Sequence, residues 1–241
     1  MVFNFPRPLS NKPSLLNYEE LRTLLHEFGH ALHGIFSQAT YRSLSGTSVY
    51  RDFVELPSQI MENWAEQIGW LKDVGKHFET GKAIPDDIIE KLLNARYFNK
   101  AFAGCRQLSF GYLDFAWHML SDADITDVVA YEAKAVERFQ FLSRPGNIAM
   151  SPSFNHIFAG GYAAGYYGYK WAEVLDADAF SKFTEAGIFN QEVAAAFRKE
   201  ILERGGTRHP LELYTNFVGR EPSMDALLKR EGLRRKNHKS P

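Results

Sequence analysis

The sequence predicts a mainly α fold, a multi-helix domain with few short strands, and three observations carry that prediction. Apolar residues recur at helical spacing over most of the chain, Gly and Pro fall between those stretches, and strand patterns are scarce. At 241 residues, with 45% hydrophobic and 24% charged, the chain can bury one sizeable core.

The elements follow in order. Met1 to Ser14 carries Pro6, Pro8 and Pro13 and reads as an extended segment or edge strand. A first helix is expected over 18–36, capped by Asn17 or Ser14, with Glu19 and Glu20 at the positive end of its dipole. Its apolar positions, Leu21, Leu24, Leu25, Phe28, Leu32 and Phe36, keep helical spacing. Residues 38–51 are polar, with Ser45 and Gly46 at their centre, and read as a loop. Residues 52–71 then look helical, and Pro57 is tolerated only within the first turn, where it has no N–H partner to lose. Further helices are expected over 85–102, 109–120, 125–139, 162–180, 190–203, 210–216 and 222–231. A basic stretch from Lys229 to Lys239 ends the chain, with 234–241 read as a solvated tail. No punctuation is long enough for an interdomain linker, so 1–241 is expected to form a single domain.

Composition narrows the partners. The 28 basic and 29 acidic side chains balance, which gives no electrostatic case for nucleic acid or an anionic membrane. The lone Cys105 excludes an internal disulfide and fits a reducing compartment. No run of 18 apolar residues is present, and Met1 to Pro8 lacks the regions of a signal peptide, so the chain reads as cytoplasmic. Aromatic residues reach 14%, with 11 Tyr, a residue that walls of binding clefts use.

The chemistry is concentrated on the first helix. His26-Glu27-Phe28-Gly29-His30 is an HExxH pattern, which puts two imidazoles one turn apart on one face, within reach of one zinc ion. Glu27, just off that face, can act as general base toward the water that zinc activates. A catalytic zinc takes a third protein ligand and leaves one position open. His33 would approach from the direction already occupied by His26 and His30, whereas Glu55 would enter from a second helix and complete a tetrahedron. Asp52 and Glu62 are candidates to accept the second N–H of a ligating histidine, Glu62 lying 7 residues past Glu55 with Glu66 beyond it.

Three blocks, Leu25 to Gly34 (LHEFGHALHG), Leu44 to Trp64 (LSGTSVYRDFVELPSQIMENW) and Phe154 to Trp171 (FNHIFAGGYAAGYYGYKW), resemble the thimet oligopeptidase family of zinc peptidases. Its bacterial members include oligopeptidase A and the dipeptidyl carboxypeptidases. The resemblance implies a zincin-type catalytic domain in which the HExxH helix packs against a second, ligand-bearing helix. It implies one Zn2+ held by His26, His30 and Glu55, which favours Glu55 over His33. It also implies that His156, Tyr162 and Tyr169 contact the scissile carbonyl and stabilise the oxyanion, with Gly160, Gly161 and Tyr166 on the substrate side. A glycine-interrupted tyrosine segment can bend over a bound peptide, and phenol or imidazole donors suit an oxyanion.

Family members are several hundred residues longer, with a helical N-terminal portion that forms the opposite wall of a channel. This chain is accordingly expected to be the C-terminal catalytic portion, with the missing portion as a separate chain, or self-association, as possible partners. The expected activity is zinc-dependent hydrolysis of short peptides, by internal cleavage or by release of C-terminal dipeptides. The alternative is a zinc- and peptide-binding fragment that needs the missing portion for activity.

Overall fold

In the computed structural model of the protein, residues 1–121, 125–142 and 146–233 are described. Among them stand eleven α-helices, and β pairing is confined to two isolated bridges, Leu9 with Lys12 and Lys76 with Ala83. The mainly α expectation is met, and the opening segment has no regular secondary structure beyond its isolated bridge. The expected 234–241 tail lies outside the described residues. No helix among the described residues is long and apolar enough to cross a membrane.

The chain divides into two compact units: Met1–Phe98 together with the chain from Ala172 onward, and Asn99–Trp171 between them. In the first unit, α1 (Tyr18–Ile35) begins at a reciprocal cap. Asn17 Oδ1 accepts the Glu20 N–H at 2.9 Å, and Glu20 Oε2 accepts the Asn17 N–H at 2.8 Å. Such a box satisfies two backbone donors that the first turn leaves orphaned, and losing the cap costs about 1 kcal/mol.

The stretch expected as one helix over 52–71 is three pieces: α2 (Leu56–Glu62), a 3₁₀ turn over Asn63–Glu66, and α3 (Ile68–Val74). Pro57 sits in the first turn of α2, as its missing N–H requires. Gln67 breaks the run by turning extended, with ψ 118°. Just before it, the buried Asn63 amide donates to Ile60 O at 3.1 Å and to Asp176 Oδ1 at 2.8 Å, so a distant carboxylate competes with the local helix. α4 (Asp86–Ala95) follows.

Where 85–102 and 109–120 were expected as two helices, the break comes earlier. Asn99 adopts a left-handed conformation (φ 54°), and α5 (Lys100–His118) then runs unbroken through Gly104 and Gly111. Asn accepts this conformation more readily than most residues, whereas an isolated Gly is tolerated within a helix. The second unit continues with α6 (Val128–Ala135), capped by Asp127, and the short α7 (Asn155–Phe158). Its core gathers Leu113, Val136, Phe154 and Ile157.

α8 (Tyr167–Ala186) leaves the second unit and enters the first. It starts five residues later than expected, because Gly161 holds positive φ (82°) and 163–166 form a turn in which Ala164 does so too (52°). The expected 190–203 helix is α9 (Gln191–Phe197) plus a π-helical turn over Arg198–Leu202, and α10 (Pro210–Val218) and α11 (Asp225–Arg230) complete the order. The main core of the first unit joins Phe53, Leu56 and Ile60 to α8, α9 and α10, with Trp64 edge-on to Phe180 and Phe183 at 4.9 and 5.1 Å. Each such fully buried apolar side chain contributes roughly 1.5–3 kcal/mol.

α8 also buries two carboxylates. Asp176 accepts from Asn63 and Arg230, and Asp178 accepts from Arg220 on both oxygens (2.6 and 2.7 Å) and from Tyr214 Oη at 2.7 Å. Burial alone would raise the Asp178 pKa. The hydrogen bonds from Arg220, Tyr214 and the Ser223 N–H prevail and hold it below its ordinary range.

Candidate functional site

The helical rise of α1 sets His26 and His30 one turn apart, with ring centroids 5.0 Å apart and edge-on. Glu55 occupies the N-cap position of α2 and is 2% exposed. Its Oε2 lies 3.3 Å from Nε2 of both His26 and His30. The approach depends on Gly29: a Cβ there would fall 2.1 Å from Pro57 O and 2.6 Å from Ser58 Cα. The third residue between the two motif ends is therefore the point where the backbones of α1 and α2 touch.

The donor atoms of His26, His30 and Glu55 all lie within 4.8 Å of one another. In a tetrahedral zinc site with bonds of about 2.0–2.2 Å, neighbouring donors stand roughly 3.3–3.6 Å apart, so the two 3.3 Å contacts suit such an ion. Two imidazoles and one carboxylate are also the donor types such a site uses.

The surrounding groups stiffen the cluster. Ser58 Oγ donates to Glu55 Oε2 at 2.9 Å. His26 Nδ1 lies 2.8 Å from Glu62 Oε1, and Glu62 Oε2 accepts from Arg22 at 2.5 Å. Burial opposes a proton on His26, yet Glu55 and Glu62 push its pKa up to about 9, so the cage attracts positive charge. Glu62 is likewise held below its ordinary range: burial would raise it, and His26 and Arg22 outweigh that. Arg22 was not singled out in the sequence, although its position one turn before His26 is the available signal.

The other sequence candidates fall as follows. Glu27 and Asp52 are half-buried, one beside His26 on α1 and one in the turn before Glu55. Glu66 pairs with Arg96 and stands apart from the cluster. His33 is outside the converging set, 0% exposed, with neither ring nitrogen hydrogen-bonded. Burial, assisted by neighbouring His30, pushes its pKa down to about 4.

In the second unit, His156 on α7 gathers three tyrosines, with ring centroids 6.2 Å from Tyr162, 6.1 Å from Tyr166 and 6.3 Å from Tyr169. Tyr162 and Tyr169 stack at 4.8 Å. The Tyr162 N–H donates to His156 O at 3.0 Å, and a Cβ on Gly160 would meet His156 Cα at 2.7 Å. Gly160 and Gly161 thus serve the tight turn that brings these rings together.

Residues 1–233 match peptidase family M3. The chain is 46% identical to oligopeptidase A of Haemophilus influenzae over 97% of its own length, and 44% identical to oligopeptidase A of Escherichia coli, again over 97%. It is 39% identical to dipeptidyl carboxypeptidase of Escherichia coli over 96%. The chain belongs to peptidase family M3, which bears out the resemblance read from its three motif blocks. It spans about a third of the length of these curated relatives, 34%, 35% and 34% respectively.

Proposed function

We propose that the chain carries the zinc-dependent peptidase centre of this family and acts on short peptides. The observation that carries this reading is the convergence of His26, His30 and Glu55, with the carboxylate Oε2 3.3 Å from Nε2 of each imidazole. When bound, the zinc supplies Lewis acidity and lowers the pKa of water to about 7. Glu27 takes the proton of the attacking water and returns it to the leaving amine. Glu62, anchored by Arg22, keeps the His26 ring oriented and its Nε2 free to ligate. His156, Tyr162 and Tyr169 donate to the oxyanion that forms at the scissile carbonyl.

Replacing Glu27 with Gln removes the base without touching a ligand. Turnover of a quenched fluorescent peptide should fall at least about a thousandfold at unchanged metal content. Unchanged hydrolysis would remove Glu27 from the reaction.

The length comparison favours a second reading, in which this chain binds metal and peptide but needs the remainder of the family architecture to turn over. Hydrolysis by the purified chain alone separates the two. The names of the relatives cover both internal cleavage and dipeptide release. Mass spectrometry of products from one peptide with a free and with an amidated C-terminus assigns the mode.

A further inference from the structure

The second unit buries a carboxylate that the proposed reaction does not use. Asp114, in the last two turns of α5, is 0% exposed. Its neighbour Leu113 joins the hydrophobic cluster of this unit, against which Tyr166 also packs. Asp114 Oδ1 accepts the Ala164 N–H and Asp114 Oδ2 the Tyr166 N–H, both at 2.9 Å. His118, one turn later, places Nδ1 2.8 Å from Asp114 Oδ1 and 2.8 Å from Asp114 O. The carbonyl oxygen can only accept, so Nδ1 carries the proton and donates. The carboxylate therefore accepts two backbone amides and one imidazole N–H. Gly111 completes the contact face of α5: a Cβ there would touch Tyr167 Cα at 3.8 Å.

The backbone that Asp114 grips is one that alanine rarely adopts. Ala164 holds φ 52°, and the turn from 163 to 166 takes the place of the first turn of α8. In a continuing helix, the N–H groups of Ala164 and Tyr166 would point along the axis to carbonyls of the preceding turn. Here a single carboxylate collects both. That capture sets the bend between Tyr162 and the start of α8, where Tyr169 stands, and so the stacking of Tyr162 on Tyr169 beside His156.

We propose that Asp114, oriented by His118, is a positioning residue that clamps the tyrosine segment in its reactive shape. The proposal rests on the peptidase reading for its effect on turnover, but not for its structural content.

The test is residue-resolved amide hydrogen exchange on the whole chain, paired with steady-state kinetics and metal content, for Asp114→Asn and Asp114→Ala. Asn keeps one acceptor and turns an N–H toward the other amide, while Ala removes both. Exchange at the Ala164 and Tyr166 amides should accelerate by at least about tenfold in the Asn variant and further in the Ala variant, with the amides of α5 within about threefold of the parent. Turnover should fall about a hundredfold in kcat with little change in KM and none in bound metal, as expected when donors are misplaced by about an ångström. Unchanged exchange at both amides would overturn the proposal, and so would an increase spread evenly over 99–171. If the parent chain hydrolyses no peptide, and Glu27→Gln therefore changes nothing, the peptidase reading fails for this chain, while the exchange result still decides the clamp.

Discussion

Gly29→Ala tests how the metal cluster is assembled. The added Cβ would lie 2.1 Å from Pro57 O, where side-chain carbons do not come within 3.0 Å, so α1 and α2 must part by about 0.9 Å. Overpacking of this kind costs about 1–3 kcal/mol. Alanine returns up to about 1 kcal/mol as the better helix former, so the net loss of stability is modest, and the melting temperature should fall by no more than about 8 °C. Metal affinity has no such offset. Ligand distances in a zinc site hold within about 0.2 Å, and Glu55 rides on the helix that is pushed away. Chelator competition should therefore show zinc bound at least about a hundredfold more weakly in the variant, with near-native thermal unfolding of the metal-free chain. Zinc affinity within threefold of the parent would refute the claim that contact at Gly29 delivers Glu55 to the two histidines.

Three further outcomes follow from named contacts. Arg22→Met leaves Glu62 without its anchoring guanidinium, and zinc affinity by the same competition should drop about tenfold to a hundredfold while His26, His30 and Glu55 remain. His33 protonates at 6.5 when unfolded but only at about 4 when folded, so the unfolded state binds the extra proton in between. Stability should fall by up to about 3 kcal/mol as pH drops from about 6.5 to about 4, and His33→Leu should flatten that slope in urea titrations of the metal-free chain. Asp178, held below its ordinary value of 3.8, contributes stability that is present above that value and lost as pH falls further; in Arg220→Met urea titrations should show lower stability near neutral pH, with the gap to the parent closing as pH falls below that value.

Much of this architecture was legible in the chain. Asn17 and Glu20 three residues apart announce the start of α1, the histidine spacing defines one face, and Pro57 marks the start of α2. Glu55 could be placed because it lies beyond a loop long enough to return the chain. What escaped was decided at long range. Local pattern favours α-helix at 63–67 and at 162–166, yet Asn63 answers to Asp176, 113 residues away, and Ala164 and Tyr166 answer to Asp114, 50 and 52 residues away. The role of Gly29 was not legible, because nothing local says that another backbone will lie against it. The break at Asn99 rests on its left-handed backbone, which no local pattern announced.

The two buried carboxylates of α8 bear on the order in which the chain is made. Arg220 and Arg230 follow Asp178 and Asp176 by 42 and 54 residues, so on the ribosome the acidic helix emerges before its counter-charges exist. Docked without them, it would bury carboxylates that lack a counter-charge, at a cost of several kcal/mol each. Until Arg220 and Arg230 are synthesised, α8 has reason to stay off the core.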